Sequence, residues 1–272
     1  MLLSVIMPSL STLRILRASA VRVTDRGDGD QNASSASSGT FSGDPYILLN
    51  YKEDVLRDVF TIAHEGGHSM HSWYSARSNP FQHYSYTIFE AEVASTFNEE
   101  LLARYLFDQA KNDTMRAYLV GKQVDDIIAT IYRQTMFAEF EQVAHARVES
   151  GGALTVDSLR SEYGELLRKY FGPEVAVEEM SDLEGLRIPH FYRAFYVYKY
   201  ATGLSAAIAL SKRVLQGGER EREAYLSFLQ SGGSRYPLES LALAGVDMAS
   251  PVPVQAALDR FRELVQRLET LA

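Results

Sequence analysis

The chain has 272 residues, 46% hydrophobic and 23% charged, a globular composition that excludes wholesale disorder. It holds no cysteine, which excludes a disulfide scaffold, a thiolate metal site, an iron–sulfur cluster and a cysteine nucleophile. A net charge of −8 argues against nucleic acid as the main partner, because phosphate binding needs a basic face, and no stretch approaches the ~18 uninterrupted apolar residues of a membrane span.

Residues 1–24 carry Arg14, Arg17 and Arg22 and no acid. The arginines follow the short apolar run instead of preceding it, which is the wrong order for a secretory signal; an organelle transit peptide fits slightly better, but neither is expected, and cytoplasm is the default location. Asp25–Gly39 is a Gly/Ser/Asp tract too poor in apolar residues to pack, and it reads as a flexible linker. Phe41–Tyr51 predicts a short strand, with Pro45 at its entry and Tyr46–Leu49 as its body. From Glu53 onward, apolar positions recur every three and four residues. This spacing predicts helices over Val55–Tyr74, Phe89–Phe107, Thr114–Glu149, Thr155–Tyr170, Phe191–Leu215, Arg220–Leu229 and Val254–Leu271. Asp113 and Asp157 sit where N-caps are expected, and Gly121 where a cap or turn is expected. The expected fold class is mainly α, with one small β element before the first helix.

That first helix contains His64-Glu65-Gly66-Gly67-His68, an H-E-x-x-H sequence. Residues four apart share a helical face, so the two imidazoles can converge on one ion, and zinc accepts neutral nitrogen ligands at ~2.0–2.1 Å. Glu65 is rotated off that face, where it can serve a water as general base. A third ligand is needed, and the candidates are His71, His83, Glu90, Glu92, Glu99 and Glu100. His71 lies seven residues from His64, roughly 10 Å along the axis, too far to close the same tetrahedron. The ligand is therefore expected from the next helix, where Glu92 and Glu99 share a face and small Ala91, Ala94 and Ser95 permit close approach. Glu92 is assigned as ligand and Glu99 as the acceptor that orients a histidine nitrogen. His71 and His83 read as ordinary surface or partly buried histidines.

Farther along, His190, Tyr192, Tyr196, Tyr198 and Tyr200 crowd into eleven residues. Pro189 suits a helix start, which would put Tyr192 and Tyr196 on one face. A tyrosine hydroxyl, protonated up to pH ~10, is a good donor to a developing oxyanion. Tyrosines at helical spacing are also common in cores, and about half of these are expected only to pack.

At these residues the chain resembles a known family. HEGGHSMHSWYS and IFEAEVASTFNEELL, with SGTFSGDPYILLNY before them and RIPHFYRAFYVYKYATGLSAAIALSKRVL after, are similar to the oligoendopeptidase F branch of the thimet-oligopeptidase-like zinc metallopeptidases. The similarity runs from about Ser38 almost to the C-terminus. It implies residues 38–272 as a multi-helix zincin catalytic domain, with residues 1–37 as an unmatched flexible segment. By the same resemblance His64, His68 and Glu92 match the ligands of one zinc ion, and Glu65 matches the catalytic glutamate. A histidine and tyrosines of the 190–200 segment would face the zinc across the cleft, with His190 and Tyr196 favoured and Tyr192 and Tyr198 next. The implied function is a zinc metalloendopeptidase acting on short peptides. Family members are much longer, with a helical N-terminal half. A truncated, inactive or partner-dependent half-enzyme is therefore one alternative, and a related metallocarboxypeptidase is another. Apolar surface meant for a missing half would favour self-association.

Overall fold

The structure is a computed structural model and describes residues 36–49, 51–52 and 54–271. The expected transit-like start and most of the expected linker lie outside the described residues. The end of that linker is a correction: Ala36–Ser38 forms strand β1. It pairs antiparallel with β2, Tyr46–Leu48, in the register Ala36 to Leu48, Ser37 to Ile47 and Ser38 to Tyr46. Cross-strand hydrogen bonds supply what the small side chains of β1 lack. In β2 only Ile47 is buried, between exposed Tyr46 and Leu48, as the two-residue period of a strand requires.

The rest is mainly helical. Helix α1 spans Leu56–Ser78 and stops before Asn79-Pro80, where the proline ring disfavours the helical conformation for its predecessor. Helix α2, Ile88–Gln109, opens on Thr87, whose N–H and hydroxyl both donate to Glu90 Oε2. The predicted run over Thr114–Glu149 is α3, Asp113–Ile127, then a π-helical turn, Ile128–Tyr132, then α4, Arg133–Glu149. Helix α5 is Val156–Phe171. The expected caps are displaced: Thr155 accepts from Ser158 N–H and Asn112 from Met115 N–H, while Asp157 and Asp113 sit inside the first turns. Acids there are favoured by the helix dipole, which makes them resemble caps in sequence. Gly121 lies within α3 rather than at its end.

The helix predicted from Phe191 begins late. Pro189–Tyr192 forms a 3-10 turn, residues 193–197 are irregular, and α6 runs only over Tyr198–Gln216. Helix α7, Glu219–Ser231, and α9, Val252–Leu271, agree with the periodicity to within a few residues. Between them lies an unpredicted helix, α8, Pro237–Leu243, too short for an 11-residue window to register.

The chain divides into two compact units. Among the described residues, the first is formed by those up to Gln123 together with those from Gly203 onward; the second is Val124–Thr202. In the first, Val93, Phe97 and Leu101 of α2 meet Ala207 and Leu210 of α6 and Phe228 of α7 in one core. Each large side chain buried there contributes ~1.5–3 kcal/mol relative to exposure. In the second, Met136, Phe137 and Phe140 of α4 pack on Tyr163 and Leu167 of α5. The Tyr163 hydroxyl donates to Glu184 Oε2 at 2.7 Å, and Arg133 pairs with the other oxygen of that carboxylate.

Candidate metal centre

Helix α1 carries His64, Glu65 and His68, and α2 carries Glu92 and Glu99. The two helices come unusually close where Gly67 faces Ala94 and Ser95. A Cβ at Gly67 would stand 2.5 Å from the Ala94 carbonyl oxygen and 2.6 Å from Ser95 Cα, closer than real side chains come to backbone. Small residues on α2 therefore supply half of the approach, and Gly67 supplies the other half. On its other side α2 rests near Gly203 of α6, where a Cβ would lie 3.5 Å from Glu92 Cβ.

This contact brings three ligand-type atoms together. His64 Nε2 lies 3.2 Å from His68 Nε2 and 3.7 Å from Glu92 Oε2. Among the described residues these three side chains form the group that could hold a metal ion, with one donor atom from each within 4.8 Å of the others. Ligands ~2.0–2.1 Å from a tetrahedral zinc ion stand about 3.3 Å apart. The two distances from His64 lie within a few tenths of an ångström of that span, and all three donor atoms lie within 4.8 Å of one another. Two imidazole nitrogens and one carboxylate oxygen are also the donor set that zinc takes in catalytic sites. The residues present fit the ion.

The surroundings suit a cation as well. His64 Nδ1 is 2.6 Å from Glu99 Oε1, an arrangement that directs Nδ1–H to the carboxylate and leaves the Nε2 lone pair for a metal. Burial opposes the charged form of His64, but the Glu99 hydrogen bond and the charges of Glu99, Glu92 and Glu65 outweigh it, and its pKa ends above the ordinary value. Burial and the charge of His64 press His68 down to about 4, against a hydrogen bond to the Ala91 backbone, so His68 is neutral at pH 7. Burial raises the pKa of Glu92; Glu65 and Glu99 raise it further, while His64 and a hydrogen bond from Ser95 oppose them. Glu65 is only 5% exposed, and its charge reaches both His64 and Glu92.

The remaining candidates fall elsewhere. Glu90 is committed to the N-terminus of α2 through Thr87. His83 is exposed in a 3-10 turn. His71 corrects the expectation of a surface or partly buried histidine, for it is completely buried. Its ring stacks on Tyr86 at 3.6 Å, and neither of its nitrogens has a hydrogen-bond partner. Burial, with the charge of His68, lowers its pKa to about 3 and keeps it neutral.

The second unit gathers His190, Tyr196 and Tyr200. Ring centroids are 5.7 Å apart for His190 and Tyr196, 5.9 Å for His190 and Tyr200, and 5.6 Å for the two tyrosines. Tyr200 Oη is 3.4 Å from His190 Nε2. The shared helical face expected for Tyr192 and Tyr196 does not exist, because Tyr192 ends the 3-10 turn and is 88% exposed. None of the four tyrosines is buried, so the core role expected for about half of them is overturned. Tyr200, one of the segment's tyrosines but not among those favoured from the sequence, joins the cluster; its ten-residue separation from His190 matches no helical contact.

The chain belongs to a family of peptidases. That family is Peptidase family M3, whose profile matches residues 28–260. The chain is 46% identical to an oligoendopeptidase F homolog of Borreliella burgdorferi and 44% identical to oligopeptidase PepF of Bacillus subtilis, each over 235 residues and 86% of this chain. The chain spans 40% and 35% of the lengths of those curated relatives. The crystal structure of oligoendopeptidase-F from Enterococcus faecium superposes with a TM-score of 0.71 at 41% identity, covering 79% of this chain and 39% of that one.

Gly67→Ala is expected to force α1 and α2 apart and lower Zn2+ affinity at least about tenfold in chelator competition. Gly66→Ala, where a Cβ meets nothing within 4 Å, leaves that affinity unchanged. Replacing the His64 partner, as in Glu99→Gln, is expected to weaken Zn2+ by ~10–100-fold while the fold persists by circular dichroism.

Proposed function

We propose that residues 38–272 form the catalytic domain of a zinc metalloendopeptidase that hydrolyses short peptides, with a cytoplasmic location. The observation that carries this reading is the convergence of one donor atom each from His64, His68 and Glu92 to within 4.8 Å of one another. When bound, zinc supplies Lewis acidity that polarises a scissile carbonyl and makes water a stronger acid. Glu65, buried beside His64 and Glu92, accepts the proton of the attacking water on its carboxylate and delivers it to the leaving amine nitrogen. His190 and Tyr196 donate hydrogen bonds to the carbonyl oxygen as negative charge develops on it, a role supported by the family resemblance and by the pairing of the two rings. Among the described residues no helix is long and apolar enough to cross a membrane.

A second reading rests on length. The residues of this chain span 40% and 35% of the lengths of two curated relatives, and the alternative is a metal-binding half that cleaves only when joined by an N-terminal half. Exposed Phe81 and Tyr118 belong to the apolar surface that such a partner, or a second copy, would cover. Zinc bound without cleavage, with cleavage restored by the missing half, favours this reading; release of single C-terminal residues would instead identify a carboxypeptidase.

Glu65→Gln is expected to retain stoichiometric zinc and to lower turnover of a quenched fluorescent peptide by ~10²–10⁴-fold. Turnover at the wild-type rate would overturn the assignment of the base.

A further inference from the structure

Phe195 stands in the irregular stretch before α6 with a φ of 56°, the one non-glycine residue in left-handed backbone among the described residues. A bulky L side chain disfavours that conformation, so something must hold it there. Two residues of α4 do so. Glu141 Oε1 accepts the Phe195 N–H at 2.7 Å, and the His145 imidazole lies against the Phe195 ring with centroids 4.8 Å apart. Glu141 and His145 are four residues apart and share one helical face, so backbone and ring are gripped from the same side. Glu141 is 6% exposed, and a carboxylate in such a place needs a donor. The Phe195 amide is that donor.

The grip sets the path of the chain on either side of Phe195. The Arg193 N–H donates to the His190 carbonyl and the Tyr196 N–H to the Arg193 carbonyl, so two consecutive turns fold the chain back on itself around Phe195. This reversal carries Tyr196 over His190; a helix continued through Phe195 would keep Tyr196 beside Tyr200, four residues on, but would move His190 away from both. We propose that Glu141 is a positioning residue: by accepting the Phe195 N–H it fixes the left-handed turn that brings the rings of His190, Tyr196 and Tyr200 into one contacting cluster. The catalytic consequence rests on the role proposed above for His190 and Tyr196; the positioning itself does not.

The test compares full-length Glu141→Leu, which cannot accept the bond, with Glu141→Gln, which can, each alone and combined with Phe195→Gly, since glycine adopts positive φ without strain. Amide exchange at position 195, the nuclear Overhauser contact between the His190 and Tyr196 rings, zinc content, kcat and KM are measured on each. Glu141→Leu is expected to speed exchange at least about tenfold and to abolish the ring contact, with zinc content unchanged. It should lower kcat about tenfold at nearly constant KM. Glu141→Gln stays close to wild type, and Phe195→Gly restores part of the ring contact in the Glu141→Leu background. Wild-type exchange and ring contact in Glu141→Leu, or a Glu141→Gln variant as disordered as Glu141→Leu, overturns the proposal. Loss of the ring contact with kcat unchanged upholds the positioning and instead removes His190 and Tyr196 from the chemistry.

Discussion

The backbones of α1 and α2 meet at Gly67, and the candidate metal centre depends on that contact. His68 follows Gly67 directly and His64 precedes it by less than one turn; Glu92 precedes the facing Ala94 by two residues. The ligands are thus anchored within a turn of the closest approach. A single added carbon would have to move the helices apart by about half an ångström to reach even the shortest tolerated contact. Metal sites tolerate only about ±0.2 Å in their ligand distances. Helix packing, more than side-chain flexibility, therefore sets the geometry of the site.

Charge does the rest. Three carboxylates, Glu65, Glu92 and Glu99, surround two imidazoles in a partly dehydrated space. Against the cost of burial they make His64 hold a proton more readily than usual, while burial first, with Glu65 and Glu99 adding to it, makes Glu92 give one up less readily. The His64 shift marks a negative potential that also suits a divalent cation. The same crowding surrounds Glu65. It lies one position off the face of α1 that carries His64 and His68, close enough for its charge to reach His64 and Glu92 yet outside the group that could hold a metal ion.

Local periodicity made the grouping of the candidate ligands legible, because H-E-x-x-H encodes one helical face and Glu92 with Glu99 encodes another. The depth of Gly67 in the packing was not legible, since it is a property of two helices and not of one. The segment after Pro189 misled for a related reason. Its aromatic spacing reads as helix through Tyr200, and nothing in Phe195 announces a break: it is neither glycine nor proline. The cause is Glu141, 54 residues upstream, which takes the amide a helix would have used. β1 was hidden because Ala36-Ser37-Ser38 becomes a strand only through its pairing with β2. His71 looked like a surface histidine because its polarity says nothing about Tyr86 and Phe228, the rings that enclose it.

Membership of Peptidase family M3 and the closeness to oligoendopeptidases F agree with what the first unit assembles from its own residues. The account stands on one claim about that unit: two imidazoles from α1 and one carboxylate from α2 bind the same ion. Anomalous diffraction at the zinc edge from crystals of the chain loaded with one equivalent of Zn2+ tests it most directly. A single peak within about 2.0–2.2 Å of His64 Nε2, His68 Nε2 and a Glu92 carboxylate oxygen is expected. A peak coordinated by other residues, or none at those three, would contradict it.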